Sequence, residues 1–502
     1  MGDLTGRFSA LPRLVGALWR LIRADALAPR EISADLPPAA RVAAGSLRLF
    51  AGREARVGRP GERLARVLER EGPVAVKLGQ FLSTRADIFG PRFADDLARL
   101  KDRLPPFPSS VAAAEIERAL GRPLTSLFSR FDDSIGAASL AQVHAATLLD
   151  GRAVAVKVLR PGVAAKVAAD IEAMDLAARL ADAFVPAVRR LEPRAFTATV
   201  ARALRLELDL RFEAAGADEL RDAMAFDNYM SAPAVVWEGV ARRVLTLEWA
   251  RGEALSDVRT LERPGLDRPR LAGDLIRAFL AQALDHGVFH ADLHEGNLFV
   301  DAAGRMIAVD FGIVGRLGRG ERRYLAEILW GFLQRDYPRV AEVHFDAGYV
   351  SASHDRAAFA QALRAVGEPI FGRSASDVSM NRLLTQLFEV TALFDMRLRP
   401  ELVLLQKTMI TVEGVARRID PALDIWASAE PVVRRWITRE LGPTQRVKGF
   451  AEQAKLAIER LAAPPAAPQI VNSVNRRGVD LTSFAIGALT AALAFAMAWI
   501  LH

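Results

Sequence analysis

The 502-residue chain contains no cysteine. That excludes a disulfide framework, a thiolate nucleophile and a thiolate metal site, and it leaves the compartment open. Lysine is scarce as well: seven lysines stand against 60 arginines. In such a chain a lysine marks a place where a compact ammonium is needed rather than a planar fork. Two of the seven, Lys77 and Lys157, fall in motifs described below. The net charge of +7 suits an anionic membrane face or nucleic acid. No dense basic run interleaved with aromatics is present, so nucleic acid is not expected as a partner. The chain also lacks a flavin fingerprint, a metal triad, a signal peptide and internal repeats.

What is there is concentrated in residues 289–312, FHADLHEGNLFVDAAGRMIAVDFG. Asp292 is followed five positions later by Asn297, and Asp310 opens an Asp-Phe-Gly triplet 18 positions after Asp292. Phosphoryl transfer from ATP needs cations that screen the phosphate charge and a group that orients the acceptor. Asn297 and Asp310 offer the hard oxygen ligands that magnesium takes. Asp292 is placed either to accept a proton or to orient the acceptor. Any one of these residues alone reads as part of a polar connection. Both motifs, flanking the apolar runs Leu298–Val300 and Met306–Val309, read as a catalytic segment.

Residues 135–158 read as a β-hairpin with Asp150-Gly151 at its turn. Lys157 ends a Val-Ala-Val-Lys run of the kind whose lysine holds nucleotide phosphates. Aligned on the kinase pattern Gly-x-Gly-x-x-Gly-x-Val, the loop ahead of it reads Gly136, Ala138, Ala141 and Val143. Glycine permits close backbone approach. The two alanines are expected to hold the loop off the phosphates or force another loop shape, which argues against an ordinary protein kinase. No Ala-Pro-Glu follows Asp310, so the usual peptide-substrate platform is not visible either.

The pattern divides the chain into a basic amphipathic region (1–60), a helical extension (61–123), a strand-rich lobe with inserted helices (124–250), a helical lobe (251–460), a linker (461–482) and an apolar segment (483–501). Arginines interrupt the first helix, which suits either a membrane surface or packing on the body. The uncharged run Ser483–Leu501 spans about 28 Å as a helix, near the thickness of a bilayer core. Arg476 and Arg477 precede it and Trp499 lies near its end, so a single C-terminal span with the main domain in the cytoplasm is expected.

These residues resemble the UbiB/ADCK atypical kinase-like family associated with ubiquinone biosynthesis. The resemblance covers roughly residues 60–330. It rests on Lys77-Leu78-Gly79-Gln80, on the alanine loop Ala137-Ala138-Ser139, on Glu207-Leu208-Asp209 followed by Glu213, and on the His290-Ala291-Asp292 loop. Glu295 stands where the family has proline, which leaves the ligands in place and touches only loop stiffness.

The resemblance implies an α+β, bilobal protein-kinase-like fold with an N-terminal helical extension, to which the apolar run 483–501 adds an expected C-terminal transmembrane helix. It implies ATP and Mg2+ as cofactors, and a Lys77-bearing extension that covers the place where a peptide would dock. It further implies a Lys157–Glu213 ion pair, a second pair between Lys77 and Glu207, and adenine contacts from Leu245–Ala250 through Glu248 and Ala250. The implied role is ATP binding and slow hydrolysis at the inner membrane, coupled to prenylated quinone precursors, membrane lipids and other quinone-biosynthesis proteins. A small-molecule kinase of the aminoglycoside/choline type shares the Asp292–Asn297 loop but does not account for Lys77–Gln80. An ordinary protein kinase and a non-catalytic, nucleotide-switched lipid-binding scaffold are the other readings.

Overall fold

The computed structural model describes residues 2–26, 45–83, 91–98, 100, 105–184, 193–371, 393–394, 396 and 400–441. The expected C-terminal span, 483–501, and the linker before it lie outside the described residues. Among the described residues no helix is long and apolar enough to cross a membrane. The chain forms two compact units. Of the described residues, one gathers those up to Phe212 with Val236–Leu247, and the other gathers Glu213–Val235 with those from Glu248 to Leu441.

The first unit opens with α1 (Gly2–Arg23). This helix packs on the body: Leu18 is buried beside Leu21, Ile22 and Leu47, and Arg13 pairs with Asp170 at 2.6 Å. Helices α2 (Pro60–Glu71), α3 (Pro73–Ser83) and α4 (Pro91–Ala98) follow. Pro60 stands at the first helical position of α2, where its missing N–H costs nothing, and Glu62 accepts the Arg59 amide at 2.9 Å. Leu64, Leu68, Val76, Leu97 and Leu100 form the core of this bundle. Buried Arg63 donates to the Gly58 and Asp25 carbonyls at 3.0 and 3.2 Å.

After α5 (Ser109–Leu120) comes an antiparallel hairpin series, β1 (Phe128–Ala137), β2 (Ala141–Leu148) and β3 (Ala153–Leu159). Gly151, at φ +88°, makes the β2–β3 turn where the sequence places it. Two helices, α6 (Val163–Phe184) and α7 (Pro193–Glu207), are inserted before α8 (Leu210–Asp227). β4 (Met230–Ser231) belongs to the second unit, and β5 (Val244–Glu248) completes the first sheet in the order β1-β2-β3-β5. Alternation along β3 buries Val154, Val156 and Val158 against Ile116, Leu127 and Phe128, which turns Lys157 to the other face.

In the second unit β6 (Glu253–Ala254) precedes α9 (Val258–Leu261) and α10 (Arg268–Ala281). The Asp267 carboxylate caps α10 by accepting the Arg270 amide at 3.0 Å. α10 passes directly into a π-helical turn, Gln282–His286, closed by Gly287 at φ +72°. A β-carbon on Gly287 would lie 2.7 Å from the Leu317 carbonyl, so glycine is required there on both counts. Strands β7 (Val288–His290), β8 (Leu298–Val300), β9 (Met306–Ala308) and β10 (Val314–Arg316) follow. They form a four-stranded sheet, β4-β9-β8-β6, and a two-stranded ladder, β10-β7. The remainder is helical: α11 (Arg319–Leu333), α12 (Tyr337–Asp346), α13 (Arg356–Phe371), α14 (Pro400–Ile419) and α15 (Ile425–Leu441).

Candidate functional site

The β8–β9 hairpin places the metal-ligand candidates at one end of a ladder. Leu298 pairs with Ala308, and the Val309 amide donates to the Asn297 carbonyl at 2.9 Å, so Asn297 and Asp310 emerge at the same end. The Asn297 amide nitrogen donates to the Asp292 carbonyl at 3.0 Å. That bond orients the buried side chain so that Oδ1, the atom a hard cation takes, is the one it does not use. Asp310 sits at φ +61°, a left-handed backbone that Asp and Asn tolerate better than other side-chain-bearing residues. Among the described residues no group of three or more His, Cys, Asp or Glu forms a metal cage. One carboxylate and one amide oxygen fit magnesium, which keeps waters and takes the rest of its ligands from phosphate.

His290 ties the segment together, and the sequence reading assigned it no role. Its fully buried ring accepts the Asp292 amide on Nδ1 and donates from Nε2 to the Val309 carbonyl, both at 3.1 Å. These bonds fix a neutral tautomer, and burial holds the imidazole pKa below its ordinary value against the pull of the Val309 carbonyl. One ring therefore sets the backbone beside both Asp292 and Asp310. The His290 amide in turn donates to the Gln282 side chain at 3.0 Å, which links it to the π turn. α15 holds that turn: Arg439 reaches the buried Asp285 carboxylate at 2.7 Å and Trp436 donates to the Leu284 carbonyl at 2.8 Å. π turns recur at functional sites, but nothing in the helical periodicity of the sequence marks this one.

In the first unit the strand register lines up three of the candidate residues. Gly136 pairs with Val143, and Val143 pairs with Lys157, so three candidate phosphate-end residues form one row across β1, β2 and β3. The alanine loop is held by its backbone. Ala138 N donates to the Ala141 carbonyl at 2.8 Å, Arg160 N donates to the Leu140 carbonyl at 2.8 Å, and Arg160 Nε donates to the Ala138 carbonyl at 2.9 Å. The Arg160 fork also reaches the Pro105 carbonyl at 2.9 Å. Gln142 bonds both the N–H and the C=O of Phe107, at 2.9 and 3.1 Å. The segment ahead of α5 is thus stapled to the loop, and Ser139 is buried behind it. Ala141 lies in β2 rather than in the loop, and a β-carbon on Gly136 would meet nothing within 4 Å.

On α3, Lys77 meets Glu207, the last residue of α7, at 2.9 Å. Gly79 is a packing residue: a β-carbon there would lie 2.2 Å from Leu100 Cδ1 and 2.7 Å from Leu68 Cδ1. Gln80 is partly buried on the same helix. Asp209 opens α8, accepting the Arg211 amide and guanidinium at 3.2 and 2.6 Å. The Arg211 bonds hold its carboxyl below the ordinary range. The Glu-x-Asp motif therefore divides into one residue that pairs with the extension and one that starts the next helix, whose first turn carries Glu213. Lys157 lies in the first unit and Glu213 in the second. The chain enters the second unit at Phe212–Glu213 and again at Leu247–Glu248, the latter inside the Leu245–Ala250 stretch expected to contact adenine, and the Glu248 amide donates to the Ala234 carbonyl at 2.8 Å.

Comparison with known proteins identifies the family. Residues 99–344 match the ABC1 atypical kinase-like domain, and residues 363–424 match the UbiB helical domain. A protein from Marinobacter nauticus named "Probable protein kinase UbiB" is 40% identical over 417 residues, covering 82% of this chain and 76% of that protein. The solved complex structure of Rv3197-erythromycin from Mycobacterium tuberculosis shares the fold at a TM-score of 0.52 and 24% identity, over 73% of this chain and 93% of that one. A kinase-like α+β core carrying the Lys77, Glu207 and Asp292–Asp310 motifs, followed by the helical domain, places this chain in the UbiB family of atypical kinase-like proteins.

Proposed function

We propose that the chain is a membrane-associated, magnesium-dependent ATPase or phosphotransferase that supports ubiquinone formation by acting on, or extracting, prenylated quinone precursors. The observation that carries this reading is the β8–β9 ladder, which sets Asn297 and Asp310 at one end with His290 fixing the backbone on either side. Mg-ATP, when bound, supplies the transferable phosphoryl group and the cation that screens it. Asn297 Oδ1 and the Asp310 carboxylate hold that cation. Asp292, whose side chain is 41% exposed, orients or deprotonates the acceptor. Lys157, in its row with Val143 and Gly136, takes phosphate charge, with Ala137, Ala138 and Ser139 as the loop beside it. Glu248 and Ala250 contact adenine. Lys77, Gly79 and Gln80, with Glu207 and Asp209, form the wall that replaces a peptide platform.

The test is titration and hydrolysis of Mg-ATP by the wild type and by Asp310→Asn. Asparagine keeps the shape and tolerates φ +61°, so the fold should survive while magnesium-dependent binding or turnover is lost. Equal affinity and equal rate in the two proteins would overturn the assignment. Membrane attachment is proposed to come from residues 483–501. Removing 481–502 should release much of the protein, and full retention through a carbonate wash would sink the single-span reading.

A further inference from the structure

We propose that α14, which lies within the UbiB-type helical domain and its continuation, holds the catalytic loop through two positioning residues, Thr408 and Arg418. The inference rests on the ATP-dependent reading of that loop given above. Thr408 is buried, and its hydroxyl lies 3.1 Å from the Ala291 carbonyl and 2.9 Å from the Leu404 carbonyl of its own helix. The amide of the same Ala291–Asp292 peptide bond donates to His290. The peptide plane immediately before Asp292 is therefore held at both ends, from β7 by a ring and from α14 by a hydroxyl. With both ends fixed, Asp292 leaves the backbone in one direction.

Arg418, ten residues further along α14, forms an ion pair with Glu295. Glu295 is the first residue of a 3-10 turn, Glu295–Asn297, that ends in the cation ligand. His294 before it is extended, at φ −86° and ψ 164°. A first-turn position after an extended residue is where proline fits without loss, because proline pre-sets the backbone and needs no N–H there. Glutamate has no such ring, and here the guanidinium of Arg418 anchors the turn from outside. The helix end that presents Arg418 is itself fixed: Arg268 on α10 donates to the Ile419 carbonyl at 2.6 Å. The helical domain is thus a brace for Asp292 and Asn297.

The experiment uses the full chain and two readouts. Hydrogen exchange is followed at the Gly296 and Asn297 amides, which donate to His294 Nδ1 and His294 O at 3.0 and 2.9 Å. Mg-ATP hydrolysis is followed as kcat and KM separately. Arg418→Ala should speed exchange at both amides and lower kcat about ten-fold with KM little changed, because misplacement of a positioned group costs rate before binding. The same substitution made on Glu295→Pro should add nothing to whatever exchange and turnover that variant shows. Thr408→Val should lower kcat, and Thr408→Ser, which keeps the hydroxyl, should restore it. Unchanged exchange in Arg418→Ala, or an equal effect of Arg418→Ala on the glutamate and proline backgrounds, would overturn the brace. A wild type that hydrolyses no ATP would refute the functional reading, and the exchange arm would still decide the brace.

Discussion

Lys77 and Glu207 meet at 2.9 Å with side chains only 14% and 20% exposed. At that depth removing one partner leaves a charge with little water to replace it. Lys77→Ala and Glu207→Ala should each destabilise the protein by about 1.5–3 kcal/mol, the range for hydrogen bonds to charged groups. The double variant should lose little more than the worse single one. Denaturant unfolding of all four proteins checks this, and additive losses would mean that the two residues act separately.

The two glycines singled out by motif should respond unequally to a β-carbon. Gly79→Ala forces a β-carbon onto Leu100 and Leu68 and should cost about 1–3 kcal/mol by overpacking. Gly136→Ala meets open space at an ordinary strand position and should leave the melting temperature nearly unchanged. Thermal melts of the two variants decide it, and equal losses would show that the Gly79 contact relaxes freely.

The alanine loop makes a sharper test than its sequence suggests. Ala138→Gly removes the β-carbon, and ATP affinity is expected to rise, without a matching rise in kcat because tighter ground-state binding does not lower the chemical barrier. Nucleotide titration by thermal shift, with and without magnesium, measures this. The Ala138 amide is already given to Ala141. An unchanged affinity would therefore assign the loop's shape to the Ala141 and Arg160 bonds rather than to the β-carbon.

Stability should fall as the pH drops from 7.5 to 5.5. Burial lowers the pKa of His290, His344 and His144 in the folded protein. Above their ordinary value of about 6.5 both folded and unfolded chains are neutral at these sites, and the full stability is present. Below it the unfolded chain takes protons that the folded chain refuses, so stability is lost toward the depressed native values. His344→Phe, which keeps a ring against Tyr349 and Phe359, should flatten the slope of melting temperature against pH. A wild-type melting temperature flat across this window would contradict the buried neutral state.

The hairpin turn at Asp150-Gly151 and the Asp292–Asn297–Asp310 pattern were legible because each depends on local spacing. The Lys157 face was legible because valines alternate along β3. His290 could be read as a motif letter but not as a bridge, since its second partner, Val309, is 19 residues away and comes close only when β8 and β9 pair. Gly79 looked like part of a recognition motif, whereas its reason is a close contact with Leu68 on α2 and with Leu100 beyond the end of α4. Glu295 read as a missing proline, and its compensation lay on Arg418, 123 positions downstream. No periodicity carries that kind of information.

The arginines that grip backbone carbonyls restrict how this sequence can drift. Arg63 holds the Gly58 and Asp25 carbonyls and also pairs with the Asp25 carboxylate at 3.5 Å, Arg160 holds Ala138 and Pro105, and Arg268 holds Ile419. A planar fork reaches two carbonyls at once, and an ammonium is a single point. Exchange for lysine at these three places would abandon a backbone group even though charge and length are kept. The arginine bias of the chain is therefore partly locked in by its architecture, whatever first produced it, and lineages with lysine-rich genomes would have to rebuild these joints by other means.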